Sequence, residues 1–236
     1  MEKRDKLYEG KAKIVYATDD PGKVIQYFKD DATAFNAAKR GTILGKGVIN
    51  NKMSAALFQR LDKAGIPTHY LATLSDREML CRRLDIIKIE VIPRNMVAGT
   101  LAKRTGLEEG VAIKPPIVEL FYKPDPLGDP MITDDHVRML KLASPKELAW
   151  LRRMAFKVNA VLRPLLKRKG LILVDFKLEF GRHGGRLYLG DEISPDTCRL
   201  WDTATQEKLD KDRFRRDLGR VEEAYQEVYR RLVGEL

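Results

Sequence analysis

Cysteine is almost missing from this chain: Cys81 and Cys198 stand far apart in 236 residues. That excludes a four-cysteine zinc site and fits a reduced, cytoplasmic setting in which each thiol is a small packing group. Histidine is nearly as scarce, and His69, His136 and His183 share no ligand spacing, so a zinc enzyme is not expected. The chain lacks the G-x-x-x-x-G-K-[ST] phosphate loop and the G-x-G-x-x-G dinucleotide fingerprint. It also lacks a zinc finger, an RNP aromatic motif, a basic-region helix and any serine or cysteine triad pattern. No apolar run approaches the ~20 residues that cross a bilayer. The opening Met1-Glu2-Lys3-Arg4-Asp5-Lys6 is charged with no apolar stretch behind it, so neither a membrane span nor a secretory signal is expected.

What is present is charge of both signs. The 44 Lys and Arg against 34 Asp and Glu leave a net +10, a surplus that suits polyanionic ligands. The basic residues are interleaved with acids and form no arm or tail, which favours small phosphorylated metabolites over nucleic acid. A hydrophobic share of 44% and a charged share of 33% describe an ordinary folded chain. Its length allows one large domain or two small subdomains sharing a cleft.

The most informative run is Val174-Asp175-Phe176-Lys177-Leu178-Glu179-Phe180-Gly181. Its strict alternation reads as one strand, with Val174, Phe176, Leu178 and Phe180 on one face and Asp175, Lys177 and Glu179 on the other. A turn at Gly184-Gly185 returns the chain to Gly190-Asp191-Glu192. Carboxylates on neighbouring strands with a lysine between them suit a magnesium nucleotide, since hard oxygens hold the metal and the ammonium offsets phosphate charge. The same alternation also fits a hairpin whose outer face is merely solvated.

Other segments add candidates. The stretch 6–16 reads as a hairpin with Gly10 near its tip and Lys11 and Lys13 on one face, placed either under nucleotide phosphates or on a solvated edge. Residues 34–47, rich in small residues and glycine, read as a mobile loop or lid. A helix should follow, with Ile49, Met53, Ala56, Leu57, Leu61 and Ala64 as its stripe. The strand 85–95 ends in Arg94, near Gly99 and Thr100, a phosphate clamp or a surface ion pair. Ser144-Pro145-Lys146-Glu147 is a capping box opening a helix that Pro164 should kink. Phe214, Leu218, Val221, Tyr225, Val228 and Leu232 read as one final helix.

Taken together, Tyr8-Glu9-Gly10-Lys11-Ala12-Lys13, Arg94-Asn95-x-x-Ala98-Gly99-Thr100, the run 173–181 and Gly190-Asp191-Glu192-Ile193-Ser194-Pro195-Asp196-Thr197-Cys198-Arg199-Leu200-Trp201-Asp202 resemble the SAICAR synthetase (phosphoribosylaminoimidazole-succinocarboxamide synthase) family of purine biosynthesis. The resemblance covers about residues 7–230, in the family's order and spacing. Thr100 stands where that family usually has serine, keeping the hydroxyl. Pro93 removes a strand donor and suggests an edge position.

The resemblance implies an α+β fold with two subdomains around an ATP cleft, distantly kinase-like, divided at about 1–80 and 81–236. It implies a cytoplasmic homodimer that ligates L-aspartate to the carboxylate of carboxylated aminoimidazole ribonucleotide (CAIR) through an acyl phosphate, using ATP and Mg²⁺. A small-molecule kinase of related fold is the alternative, and a basic nucleic-acid-binding protein a weaker one. Gly10, Lys11, Ala12 and Lys13 would cover the ATP phosphates, Val15 and Val24 the adenine, with Lys123 near the nucleotide. Glu179 and Asp191 would hold the metal, and Lys177 would offset charge on the transferred phosphoryl group. Arg94, Thr100 and Arg199 would grip the ribonucleotide phosphate, with Glu90 and Asp196 near the rest of CAIR. Asp175 or Asp196 would accept the amine proton, and Lys211 and Arg215 of the final helix are further contacts.

Overall fold

Two antiparallel sheets carry the fold, and alternation and turn residues set both. In the first, β1 (Lys3–Glu9), β2 (Lys13–Thr18) and β3 (Lys23–Phe28) form a meander. Its first turn closes where Gly10 N–H donates to the Lys13 carbonyl at 2.8 Å, as the hairpin reading expected. All of β1 is exposed and mostly charged, which suits an edge strand that must not recruit further pairing. The computed structural model describes residues 1–34, 38–123 and 127–234.

Next come β4 (Asp31–Ala34), β5 (Lys39–Thr42) and α1 (Lys46–Lys63), followed by β6 (Tyr70–Thr73) and β7 (Glu78–Arg82). The last two complete the first sheet in the order β1-β2-β3-β7-β6. The expected loop 34–47 is thus partly a β4–β5 hairpin; its residues 35–37 lie outside the described ones. No side chain of Gly45 caps α1. Asp30 does so from a distance, accepting Gly47 N–H at 2.8 Å. A Cβ at Gly47 would collide with the Phe28 carbonyl, so this approach requires glycine. Ile49, Met53, Leu57 and Leu61 are buried as expected, joined by Phe58, whose burial contributes about 1.5–3 kcal/mol.

The second sheet is built on β8 (Asp85–Met96), flanked by β9 (Ala112–Tyr122) and β10 (Met131–Ile132) on one side. On the other side lie β11 (Leu171–Phe176) with β14 (Cys198–Asp202), and the hairpin of β12 (Leu178–His183) and β13 (Arg186–Leu189). The single strand expected over 174–181 is therefore two, broken at Lys177. Upstream of the break Asp175 pairs with Arg94; downstream Leu178 pairs with Val91. Pro93 sits opposite the gap, so β8 is central and the edge expected from Pro93 is not found. A residue without an N–H is tolerated where the ladder is already interrupted.

Helices α2 (Thr100–Thr105) and α3 (Asp134–Met139) are short, and α4 (Pro145–Arg168) packs on the second sheet. Its Ser144–Glu147 capping box forms at 3.3 and 2.7 Å, and the helix runs past Pro164 to Arg168. The expected final helix is two elements, α5 (Asp212–Arg215) and α6 (Val221–Leu232). Left-handed Asp217, Gly219 and Arg220 break it and leave Leu218 exposed. The expected stripe is shared between two cores: Phe214, Val221 and Tyr225, with Tyr229, pack with Ala32, Ile43 and Ile49, while Val228 and Leu232 join the main core. No helix among the described residues is long and apolar enough to cross a membrane.

Candidate active site

Between the two sheets lies a cleft of about 1110 Å³, roofed by the β1–β2 turn and the β4–β5 hairpin. Its lining brings together Gly10, Lys11, Ala12 and Lys13 from the first sheet with Glu90, Arg94, Lys123, Asp175, Lys177 and Glu179 from the second. Thr100, Asp191, Asp196, Arg199, Lys211 and Arg215 also line it. Val15 and Val24 do not: Val24 is buried and Val15 packs against the same core beneath the sheet. Lys211 and Arg215 belong to α5 and its N-cap, not to the final helix.

The break at Lys177 aims an ammonium group into this cleft. Lys177 Nζ lies 2.7 Å from Glu179, 3.3 Å from Glu90 and 3.4 Å from Asp191. Lys123 donates to the other Glu179 oxygen, and Lys13 to the other Asp191 oxygen, with Glu192 3.1 Å away. Asp191 is placed by a left-handed backbone (φ 59°) after Gly190, whose N–H donates to the Glu179 carbonyl at 2.8 Å. Burial alone would lower the pKa of Lys177, but Glu179, Asp191 and Glu90 hold it well above its usual value. Burial likewise opposes ionisation of Asp191, yet Lys13, Lys177 and Lys123 push its carboxyl well below the ordinary range. Glu90 moves the other way, raised by burial against the pull of Lys177. The rail is therefore fully ionised at Lys177 and Asp191, as charged-group handling of phosphate demands.

The other end of the cleft is built from guanidinium groups. Arg94, only 2% exposed, donates from Nε to Glu119 at 2.6 Å and from Nη1 to Asp175 at 2.5 Å. Arg199 donates from Nη1 to both Asp175 oxygens at 3.1 and 2.9 Å and from Nε to Asp212 at 2.9 Å. Neither Nη2 has a hydrogen-bond partner among the described residues. That of Arg199 abuts Gly99, beside Thr100, so its N–H edge lies where a glycine leaves no side chain in the way. This is a geometry for an oxyanion with several acceptor oxygens.

The two candidate proton acceptors are both heavily engaged. Asp175 is braced between two arginines. Asp196 accepts from Lys46 at 2.9 Å and from Tyr225 Oη at 2.6 Å, with Lys211 at 3.6 Å. Burial disfavours its charge, but Lys211 and Lys46 pull its pKa well below the usual carboxylate range. Lys46 is wholly buried, and sequence reading missed it, as it missed Asp212, Glu119 and Tyr225. Lys46 gave no signal beyond its glycine neighbours, since a buried and a solvated lysine look alike in sequence.

Among the described residues no group of three or more Asp, Glu, His or Cys side chains converges on a metal position. Glu179 and Asp191 are two hard-oxygen donors in the cleft lining, a donor set of the kind that takes magnesium together with phosphate oxygens. Such a cleft defines a phosphoryl-handling enzyme of mixed α+β fold.

Comparison with known proteins specifies it further. A model of the SAICAR synthetase family matches residues 6–232. Phosphoribosylaminoimidazole-succinocarboxamide synthase of Desulfitobacterium hafniense (strain Y51) is 57% identical over 232 residues, 98% of each chain. The crystal structure of that enzyme from Ehrlichia chaffeensis has a TM-score of 0.96 at 45% identity, covering 98% of this chain and 100% of the other. A SAICAR synthetase in complex with ADP has a TM-score of 0.94 at 48% identity, covering 97% of each. The chain belongs to the SAICAR synthetase family, whose known reaction is ATP-dependent ligation of L-aspartate to CAIR in purine biosynthesis.

Proposed function

We propose that this chain catalyses its family's reaction in the cleft described, with ATP at the Lys13–Lys177 end and the CAIR phosphate at the Arg94–Arg199 end. The observation that carries this reading is the coexistence of both charge arrangements in one cleft: an ionised lysine–carboxylate rail and two guanidinium edges without hydrogen-bond partners among the described residues.

A carboxylate is a poor electrophile, so one CAIR carboxylate oxygen first takes the γ-phosphoryl group of ATP and ADP leaves. The aspartate amine then attacks the carbonyl carbon, the C–O bond to phosphate breaks, and the proton that the amine gives up leaves on the departing phosphate as the amide forms. Lys177 and Lys13 offset charge on the transferring group, the main contribution a protein makes to phosphoryl transfer. Glu179 and Asp191 would hold Mg²⁺, which when bound neutralises charge on the nucleotide phosphates. Arg94, Arg199 and Thr100 seat the ribonucleotide phosphate, and Glu90 lies between the two ends. The β4–β5 hairpin covers the acyl phosphate against hydrolysis.

Asp175 and Asp196 are reassigned: their oxygens brace Arg94, Arg199 and Lys46, so they serve as anchors of the site and not as acceptors of the amine proton. Val15 and Val24 support the nucleotide end from beneath. We place the subdomain division near residue 80, between the two sheets, and take the working form as a cytoplasmic homodimer that binds no nucleic acid. The two buried, unpaired thiols Cys81 and Cys198 fit a reducing compartment.

The test is ADP release with ATP, magnesium and CAIR, with and without L-aspartate, while SAICAR is followed in parallel. Aspartate-dependent SAICAR matched one to one with ADP supports the ligase. ADP release without SAICAR supports a kinase instead, and no turnover refutes both.

A further inference from the structure

Asp212 does not line the cleft, yet it holds two residues that do. One carboxylate oxygen accepts from Arg199 Nε at 2.9 Å, the other from Arg215 Nη1 at 2.7 Å. It is 2% exposed, and although burial opposes its charge, Arg199 and Arg215 lower its pKa to about 2. Its own backbone is fixed as well. Asp212 N–H donates to Asp210 Oδ1 at 2.7 Å, and Asp210 Oδ2 accepts from Leu200 N–H at 2.8 Å. Leu200 follows Arg199 on β14, so the contacts close a ring running from Arg199 through Leu200, Asp210 and Asp212 back to the Arg199 side chain. That ring sets the register of the one-turn α5 against the strand.

The consequence lies at the free edge of Arg199. An arginine side chain has many rotamers, and a single carboxylate at Nη1 leaves the guanidinium plane free to swing about that contact. Asp175 takes Nη1 and Asp212 takes Nε, so two sides of the planar fork are pinned and only the Nη2 edge, against Gly99, remains. Buried ion pairs are weak sources of net stability, so a carboxylate retained in this place is better explained by orientation.

We infer that Asp212 is a positioning residue that presets Arg199 and Arg215 for the phosphate of the phosphorylated substrate, and so sets selectivity for the nucleotide over its dephosphorylated nucleoside. This rests on the proposed placement of CAIR. Bidentate recognition of phosphate depends on the angle of the fork, so loss of one brace is felt mainly by the phosphorylated ligand.

The experiment uses the full chain with Asp212→Asn, which keeps the shape but turns an amide N–H₂ toward one guanidinium. KM is measured for CAIR and ATP, and binding is compared for CAIR and its nucleoside. The expected result is a rise in KM for CAIR on the order of 10- to 100-fold, KM for ATP within about twofold, and a collapse of the nucleotide-to-nucleoside preference toward that of Arg199→Ala. Adding Asp212→Asn to Arg199→Ala should cost little more. Asp212→Glu keeps the charge but overshoots both guanidinium groups by one methylene; it serves where the asparagine variant does not fold, and it too should raise KM for CAIR. An unchanged KM for CAIR in either variant, or an equal rise for CAIR and ATP, overturns the inference. Failure of the wild-type protein to bind CAIR would overturn the functional reading first, and this inference with it.

Discussion

Replacing Gly99 with alanine tests the guanidinium end of the cleft at a single atom. Gly99 has φ 57° and ψ −127°, a region open almost only to glycine. Strain there costs about 1–3 kcal/mol for any other residue. The added methyl would lie 2.7 Å from Arg199 Cζ and nearer still to Nη2, whereas ordinary contact begins at 3.4 Å. The guanidinium must therefore move by at least 0.7 Å, the shortfall at Cζ, and by more at Nη2. It cannot swing away freely, since Asp175 and Asp212 hold it at 2.9 Å from two sides. A misplacement near 1 Å of a positioning group costs roughly 10²-fold. We therefore expect KM for CAIR to rise about 10- to 100-fold, with KM for ATP unchanged because Lys13 and Lys177 lie at the other end. Thermal melting should show a loss of roughly 2–4 °C for each kcal/mol of strain. Steady-state kinetics with each substrate varied in turn, beside a melting curve, reads both numbers. A Gly99→Ala enzyme with wild-type KM for CAIR would refute the placement of phosphate at Arg199.

Three further outcomes follow from the same geometry. Asp196→Asn leaves the wholly buried Lys46 without its counter-charge, so stability should fall by about 3–5 kcal/mol; a normal melting curve with only kcat reduced would restore Asp196 as a proton acceptor. The double variant Glu179→Gln, Asp191→Asn removes both hard-oxygen donors, and magnesium-dependent ATP binding should disappear from calorimetric titrations; wild-type affinity would remove the metal assignment. His69 is buried, and burial together with the Lys13 charge lowers its pKa to about 3 from an ordinary 6.5. Its contribution to stability is therefore complete above pH 6.5 and is lost as pH falls toward 3, reaching on the order of 1 kcal/mol by pH 5.5. Denaturant unfolding at pH 7.5 and 5.5 should show this loss in the wild type and a smaller one in His69→Gln; equal slopes would mean that His69 is not the titrating group.

How far the chain was legible depended on the range of the interactions involved. Alternation over 174–181 put Asp175, Lys177 and Glu179 on one side correctly, because period two is a local property. The break at Lys177 was not legible, since it arises from the register of β8 and the place of Pro93 in it, a partner some eighty residues away. The capping box at Ser144 was readable for the same local reason, and the Gly47 approach to Asp30 was not. One amphipathic stripe ran from Phe214 to Leu232, but it divides: Phe214, Val221 and Tyr225 share one core, Val228 and Leu232 join the main one, and Leu218 is exposed. Periodicity alone could not show that Asp217, Gly219 and Arg220 turn left-handed between them. That turn matters for the site, because it frees α5 to follow β14 and to place Asp212 under Arg199.

The interleaving of acid and base along the chain, which argued against nucleic acid, has its physical reason in this cleft. A surface that attracts a polyanion through its field needs cations without counter-charges, and orientation hardly matters. Here Lys13 leans on Asp191 and Glu192, Arg94 on Glu119 and Asp175, Arg199 on Asp175 and Asp212, and Lys46 on Asp196. Each carboxylate cancels most of the long-range attraction of its partner while fixing its direction. What survives is short-ranged and geometric: the ammonium groups of the rail and the Nη2 edges of two arginines. Such an arrangement discriminates by where a substrate's charges lie rather than by how many it carries. It follows that raising ionic strength should weaken substrate binding far less here than it would on an unbraced basic surface with the same net +10.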